Sequence, residues 1–428
     1  MMFDRRFVRD GRFMVDGVGL EETVAARGTP CYVYSASVMR EKLKLLRESF
    51  PGFDICYSLK ANPNLEVVRA LARAGAGAEI SSRGELAVVL RAGVNPSNII
   101  FVGPAKQRPD IEAAVGCRVY AIVVDSAEEL ALVDECCERA AAPMRVLLRI
   151  NTHEPSPEAK EVMVGGPSKF GFDEELVVDA VRGVRLRHAR VVGIQVYSAS
   201  GVLDAGYLAG HLEYVVGLAG QLAQELDIRL ECIDFGGGFG VPYEDGQPEL
   251  DLVPVAAAAR RLREDWGHDP NSGDGIGSCP VGCRLVFECG RYLVAESGVF
   301  CTRVVRVKES RGKVLAITDG GMNAFARPVF MRVHHPARLL NRLDEPATTD
   351  VSVCGPICTP MDCIGPDVTL PMPQVGDVVG VLNAGAYGYT MSLLEFMSLG
   401  RPAELLVDAG QLRVIREPQP SASEQSAG

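Results

Sequence analysis

The stretch DICYSLKANPNLEVVRALARAGAGAEI, residues 54–80, decides how the chain folds. It opens on a short apolar run at 54–59 and passes through a polar turn with Asn62, Pro63 and Asn64. Leu65, Val68, Leu71 and Ala72 then recur at helical spacing, and a second strand-like run follows at 77–80. A strand, a helix and a strand joined this tightly predict parallel pairing through a crossover helix.

The same texture extends outward. Strand-like runs recur at 98–102, 119–124, 145–150, 191–196, 230–235 and 284–287, most of them followed by a helical pattern. Residues 205–226 and 253–266 read as helices, and Ser126 with Glu129 predicts a capping box. Eight strand–helix units predict an α/β chain with a (β/α)8 TIM-like barrel, an open doubly wound sheet being the competing arrangement. Beyond residue 290 the runs at 299–307, 314–318, 351–353, 377–382 and 412–416 have few helices between them. They predict a second, mostly antiparallel β domain. The expected boundaries are N-terminal strands at 1–34 joining the β domain, the barrel at 35–292 and the β domain at 293–416. A polar, Pro/Ser-rich disordered tail is expected at 417–428.

Of 428 residues, 47% are hydrophobic and 23% charged, which is enough apolar material for a substantial core. Forty-four basic against 55 acidic residues leave a net charge of −11, which argues against nucleic acid or an anionic membrane as partner. No signal-like or membrane-spanning apolar run occurs, so a cytoplasmic location is expected. The 13 cysteines include two local groups, Cys279, Cys283 and Cys289, and Cys354, Cys358 and Cys363. Neither has paired CxxC spacing and histidines number six, so no metal site is expected.

Chemistry in this kind of barrel gathers at the carboxyl ends of the strands. Lys60 closes the first strand, Glu79 lies in the second with Ser82 just past it, and Arg149 ends the fifth. Ser200 follows the sixth, Gly236, Gly237 and Gly238 follow the seventh, and Glu288 ends the eighth. Each has an ordinary structural explanation, such as a lysine reaching solvent or a glycine turn. Together they predict a pocket with a reactive amine, an anion-binding turn and an acid. Arg291 reads as a partner for a phosphate or carboxylate. In the β domain, Cys358 is either a cleft thiol or a buried turn cysteine, and Tyr387 either an anion-binding hydroxyl or a core tyrosine. The Gly/Pro-rich segment 269–283 reads as a rim loop.

Seven motifs in order give the chain a resemblance over nearly its whole length to the fold-type III pyridoxal-phosphate decarboxylases, the diaminopimelate and ornithine/arginine decarboxylases among them. They are YSLKAN (57–62), EISSRGEL (79–86), SKFG (168–171), GGGFG (236–240), ECGR (288–291), GPICT (355–359) and GAY (385–387). The resemblance implies pyridoxal 5'-phosphate as cofactor, with Lys60 as its Schiff-base lysine. Gly237, Gly238, Ser200, Arg291 and Tyr387 would bind the phosphate end, Glu288 would face the pyridine nitrogen, and Glu79, Arg149, Tyr197 and Gly290 would complete the cofactor site. A carboxylate at the ring nitrogen favours decarboxylation over racemisation, because related racemases place an arginine there. Cys358 would be the proton donor, supplied in trans across a head-to-tail homodimer. Arg327 aligns with an arginine that grips the substrate's distal carboxylate, and Arg291, Met331, Thr359, Asp362 and Tyr387 fall at the other substrate-facing positions.

Three departures from the family pattern shape the substrate expectation. Tyr197 replaces a histidine that stacks on the cofactor ring, Met331 lies where a tyrosine is usual, and Thr359 replaces a glutamate that recognises the far amino group of diaminopimelate. Losing that acid predicts weaker selection for a second ammonium. The chain is accordingly similar to the branch that decarboxylates conjugated or carrier-protein-linked amino acids in specialised metabolism, for example siderophore-type pathways. The alternative within the class is meso-diaminopimelate decarboxylase of lysine synthesis. A non-catalytic, pyridoxal-phosphate-binding regulatory relative is the alternative from another class, and it should have lost Lys60 or Cys358.

Overall fold

The computed structural model describes residues 6–153, 161–244, 246–265 and 282–419. Residues 269–281 of the expected rim loop, including Cys279, and residues 420–428 of the expected tail lie outside them. The chain divides into two compact units. Residues 42–241 and 249–292 form one; residues 1–41, 242–248 and 293–428 form the other.

The first unit is a closed parallel barrel. Its strands are Asp54–Ser58, Gly77–Ile80, Ile99–Phe101, Ala121–Val124, Met144–Asn151, Ala189–Gln195, Cys232–Asp234 and Arg284–Cys289. Each pairs with the next in parallel, and the eighth pairs with the first through Glu288 opposite Cys56. Closure removes both sheet edges and settles the barrel against the open sheet. Cys56, Ile100, Ala121, Val123, Leu147, Val192, Cys232 and Val286 form one buried cluster that fills the ring from seven strands.

Local chemistry sets where the helices begin. Asn64 caps Leu65–Arg73 by accepting the Glu66 N–H at 3.1 Å, and Val67, Val68 and Leu71 face inward. Ser82 caps Arg83–Ala92 through the Glu85 N–H, and Gly93 ends that helix in the left-handed conformation. The Ser126 hydroxyl accepts the Glu129 N–H at 3.2 Å, but the returning Glu129 carboxylate takes the Asp125 N–H at 2.8 Å, one residue earlier than a simple capping box predicts.

The second unit is built on a mostly antiparallel sheet. In spatial order its strands are Cys363–Leu370, Thr349–Cys354, Lys313–Thr318, Gly298–Ser310, Cys31–Ser35, Ala403–Asp408 and Gln411–Arg416. Two contacts are parallel: Cys31–Ser35 with Ala403–Asp408, and Lys313–Thr318 with Thr349–Cys354. Of the N-terminal strands, only Cys31–Ser35 enters this sheet. Residues 8–19 make a three-stranded sheet of their own, and Phe13 and Val15 join the same core as Val33, Val299 and Leu405. Those first strands therefore associate by apolar packing and not by pairing with the large sheet. No helix among the described residues is long and apolar enough to cross a membrane.

Candidate active site

Lys60 lies in a single 3-10 turn, Leu59–Ala61, directly after the first barrel strand. Its Nζ donates to Glu79 Oε2 at 2.7 Å and lies 5.6 Å from the centroid of the Tyr197 ring. Glu79 is wholly buried, and its other oxygen accepts from the Ser81 hydroxyl at 3.1 Å. The Lys60 side chain keeps 37% of its surface exposed, so the amine is held by a buried acid and still open to solvent. In the structure Glu79 thus acts on the lysine first. Arg149 is buried near the end of the fifth strand, with its guanidinium 4.3 Å from the Phe170 ring and 3.9 Å from Asp125.

A second cluster joins the ends of strands six, seven and eight. Glu288 Oε2 accepts from Gln195 Nε2 at 3.1 Å, and Asp234 Oδ1 accepts the Gly236 N–H at 2.9 Å. Burial pushes the Glu288 carboxyl up to about 7; the negative charge of Glu79 adds to the shift, while Lys60 and Arg149 oppose it. Burial and the charge of Glu288 raise Asp234 well above the usual carboxylate range. Among the described residues Asp234 Oδ2 and Glu288 Oε1 are buried without a hydrogen-bond partner, so the two acids titrate as a pair and not independently.

At the other side of the same strand ends, Arg291 Nη2 donates to Ser200 Oγ at 3.0 Å, both residues being buried. The Gly236–Gly238 turn lies against neighbouring backbone: a Cβ at Gly238 would fall 2.8 Å from the Ala199 carbonyl oxygen, and one at Gly237 would collide with that of Glu288. Gly290 packs closely on the Lys60 turn, where a Cβ would meet Ser58 Cβ and Ala61 Cβ at 3.1 Å. A buried arginine–hydroxyl pair for a phosphate, an accessible amine for an aldehyde, an aromatic ring beside it and a buried carboxyl for a ring nitrogen fit pyridoxal phosphate.

The remaining site candidates belong to the β unit. Arg327, buried at the start of the short helix Arg327–Met331, places its guanidinium 5.3 Å from the Tyr243 ring and 5.4 Å from the Tyr387 ring. Tyr387 adopts a left-handed φ of 58°. Met331 is half-buried at the helix end. Cys358 is exposed, with its backbone N–H 3.3 Å from Met397 Sδ, and Thr359 beside it is half-buried. Asp362 is buried, and its two oxygens accept the Met322 N–H at 2.7 Å and the Ile357 N–H at 2.9 Å. That carboxylate thus ties its own loop to the Met322 backbone.

Sequence reasoning passed over Gln195, Asp234, Lys106, Asp125 and Tyr243. Lys106 is buried after strand three, 3.0 Å from Glu129 Oε1 and 3.8 Å from Asp125 Oδ2. The signal was present, because charged residues just past strands three and four obey the same strand-end rule as Lys60. Tyr243 had none: residues 242–248 read as a barrel loop, yet group with the β unit. Among the described residues no three His, Cys, Asp or Glu side chains are grouped to hold a metal.

The family description "Pyridoxal-dependent decarboxylase, pyridoxal binding domain" matches residues 36–295. The chain is 34% identical over 399 residues to the L-glutamyl-[BtrI acyl-carrier protein] decarboxylase of Niallia circulans, covering 91% of each chain. It is also 34% identical over 413 residues to the diaminopimelate decarboxylase of Pseudomonas aeruginosa, covering 95% of this chain and 94% of that one. Among solved structures, the diaminopimelate decarboxylase of M. jannaschii superposes with a TM-score of 0.86 at 28% identity, covering 96% of this chain and 94% of that one. With the Lys60 amine, the buried Glu288 carboxyl and the Arg291–Ser200 pair set at the strand ends of one barrel, the chain belongs to the pyridoxal-phosphate-dependent decarboxylases, carboxy-lyases of amino acids.

Proposed function

We propose that the chain decarboxylates an amino acid already joined to a larger group, a carrier-protein thioester or a similar conjugate, and not a free diamino acid. The observation that carries this reading is the 355–362 loop. Thr359 stands where an acid would recognise a second ammonium, and the loop's single carboxylate, Asp362, is occupied by two backbone N–H groups. A free ammonium brought to this loop would find no charge partner there. The carrier-protein substrate in the name of the Niallia circulans relative agrees with it. Arg327 favours the second reading, meso-diaminopimelate, because a buried guanidinium between two tyrosine rings suits a distal carboxylate.

In this reading each residue has one task. Bound pyridoxal phosphate supplies an electron sink for the bond to the departing carboxylate. Lys60 Nζ would hold the cofactor through its aldehyde group, with Glu79 keeping the amine in place. Glu288, steadied by Gln195 and Asp234, keeps a proton on the pyridine nitrogen. Tyr197 would present its ring to the cofactor face, and Ser200, Gly237, Gly238 and Arg291 would retain the phosphate. The Cys358 thiol delivers a proton to Cα after CO2 has left.

Carbon dioxide release decides the substrate. A glutamyl thioester of an acyl-carrier protein should exceed free meso-diaminopimelate in kcat/KM by roughly 100-fold, the scale of discrimination when a polar partner is missing. Faster turnover of the free diamino acid sinks the proposal.

The exposed position of Cys358 in the single chain supports its use by a second copy in a homodimer with shared sites. Equal mixing of Lys60→Ala and Cys358→Ala proteins, each inactive or slow alone, should then restore about 25% of wild-type activity: half the dimers are hybrids, and each hybrid regains one of two sites. A mixture no more active than the mean of its components excludes sharing.

A further inference from the structure

We propose that Cys354 and Cys363 form a modification site, a dithiol that small-molecule disulfides oxidise, closing a covalent ring around the loop that carries Cys358. The inference goes beyond the decarboxylase reading and does not depend on it.

Cys354 ends one antiparallel strand, Cys363 begins the next, and the two are register partners just past an irregularity between Val353 and Cys354. The neighbouring pair is braced by the Gly355 N–H donating to the Asp362 carbonyl at 3.0 Å. Opposed antiparallel positions sit about 4.5–5.5 Å apart at Cα, within the roughly 4.4–6.8 Å that a disulfide spans. The Cys354 thiol donates to the Ser352 carbonyl at 3.7 Å, and the two neighbouring thiols act on each other, holding Cys363 below its ordinary value and raising Cys354. Cys363 is therefore the attacking sulfur and Cys354 the resolving one.

Access separates this pair from a second one. Cys31 and Cys301 are also opposed in register, but both are wholly buried in the core of the β unit, where no reagent arrives. Cys354 and Cys363 are each half-buried. The sequence between them holds two glycine- or proline-containing turns and the exposed Cys358, so the ring would enclose about ten residues.

The exchange balances without a further reactant. The Cys363 thiolate attacks one sulfur of an R–S–S–R disulfide, that S–S bond breaks, and one RS⁻ leaves and takes the thiol proton. Cys354 then loses its proton and attacks Cys363 Sγ, expelling the second R–SH. The protein dithiol loses two electrons, and the reagent becomes two thiols.

The test treats the full-length, pyridoxal-phosphate-loaded protein with glutathione disulfide near neutral pH, followed by intact mass, thiol counting and peptide mapping. The expected result is a loss of about 2 Da and about two titratable thiols, with one cross-linked peptide joining Cys354 to Cys363 that a dithiol reductant dissolves. Cys358→Ser should still form the link, and Cys363→Ser and Cys354→Ala should both lack it. Two variants guard against one of them failing to fold. A link through Cys358, stable glutathione adducts in place of the 2 Da loss, or an unchanged thiol count overturns the proposal.

Discussion

Lys60→Ala loses decarboxylation by roughly 10,000-fold or more, the scale on which removal of a covalent nucleophile acts. Lys60→Arg loses as much. The guanidinium retains the charge opposite Glu79 but stays protonated and cannot attack a carbonyl carbon. The pair of variants therefore separates two roles for one side chain. Should the arginine variant keep more than about a tenth of wild-type turnover, the lysine serves only as the ion-pair partner of a buried acid, and its covalent role is wrong. Both proteins should still fold, because the amine lies at the half-exposed end of the side chain and Glu79 keeps its Ser81 hydrogen bond.

Glu288→Gln is expected to lower turnover by roughly 100- to 10,000-fold while leaving the barrel intact, since the amide occupies the same volume and still accepts from Gln195. The same variant has a signature in the cofactor-free protein. Folded Glu288 keeps its proton up to about pH 7, whereas an unfolded glutamate releases it near 4.3. Between those values the folded state binds the extra proton, so stability falls as pH rises through the window and levels off above it. Asp234 is raised in the same direction and titrates jointly with Glu288, so the slope belongs to the pair. Urea midpoints at about pH 5 and about pH 8 should differ in wild type by on the order of 1–3 kcal/mol and by less in Glu288→Gln. An unchanged difference would show that the acid is not buried as described, and turnover within about threefold of wild type would remove it from the ring nitrogen.

How much of this could be read before folding differs from one element to the next. The barrel strands were legible because each is a short apolar run beside an amphipathic helix, and Ala205–Leu226 falls on its expected bounds. The β unit was less so. Ala403–Asp408 is written in helix formers, yet it lies between two strands as Ala-Glu-Leu-Leu-Val-Asp, where tertiary pairing overrides propensity. Cys363–Leu370 contains Gly365 and Pro366, which disguise a strand but are tolerated at the sheet edge it occupies. The site divides in the same manner. Lys60, Glu288 and Arg291 announce themselves as charges at strand ends, whereas Gln195 becomes legible only when its amide is seen donating to Glu288, and Asp362 only when its oxygens are seen to be taken.

The Gly236–Gly238 turn and the Glu288 backbone are fitted to each other, with the Glu288 N–H donating to the Gly236 carbonyl at 2.7 Å and no room for a methyl at Gly237. The turn proposed to anchor one end of the coenzyme and the acid proposed to face the other are thus a single mechanical part. Selection acting on the reaction can move neither without disturbing the other, so new chemistries in this lineage are expected to arise from the β unit's loops and not from the floor of the barrel.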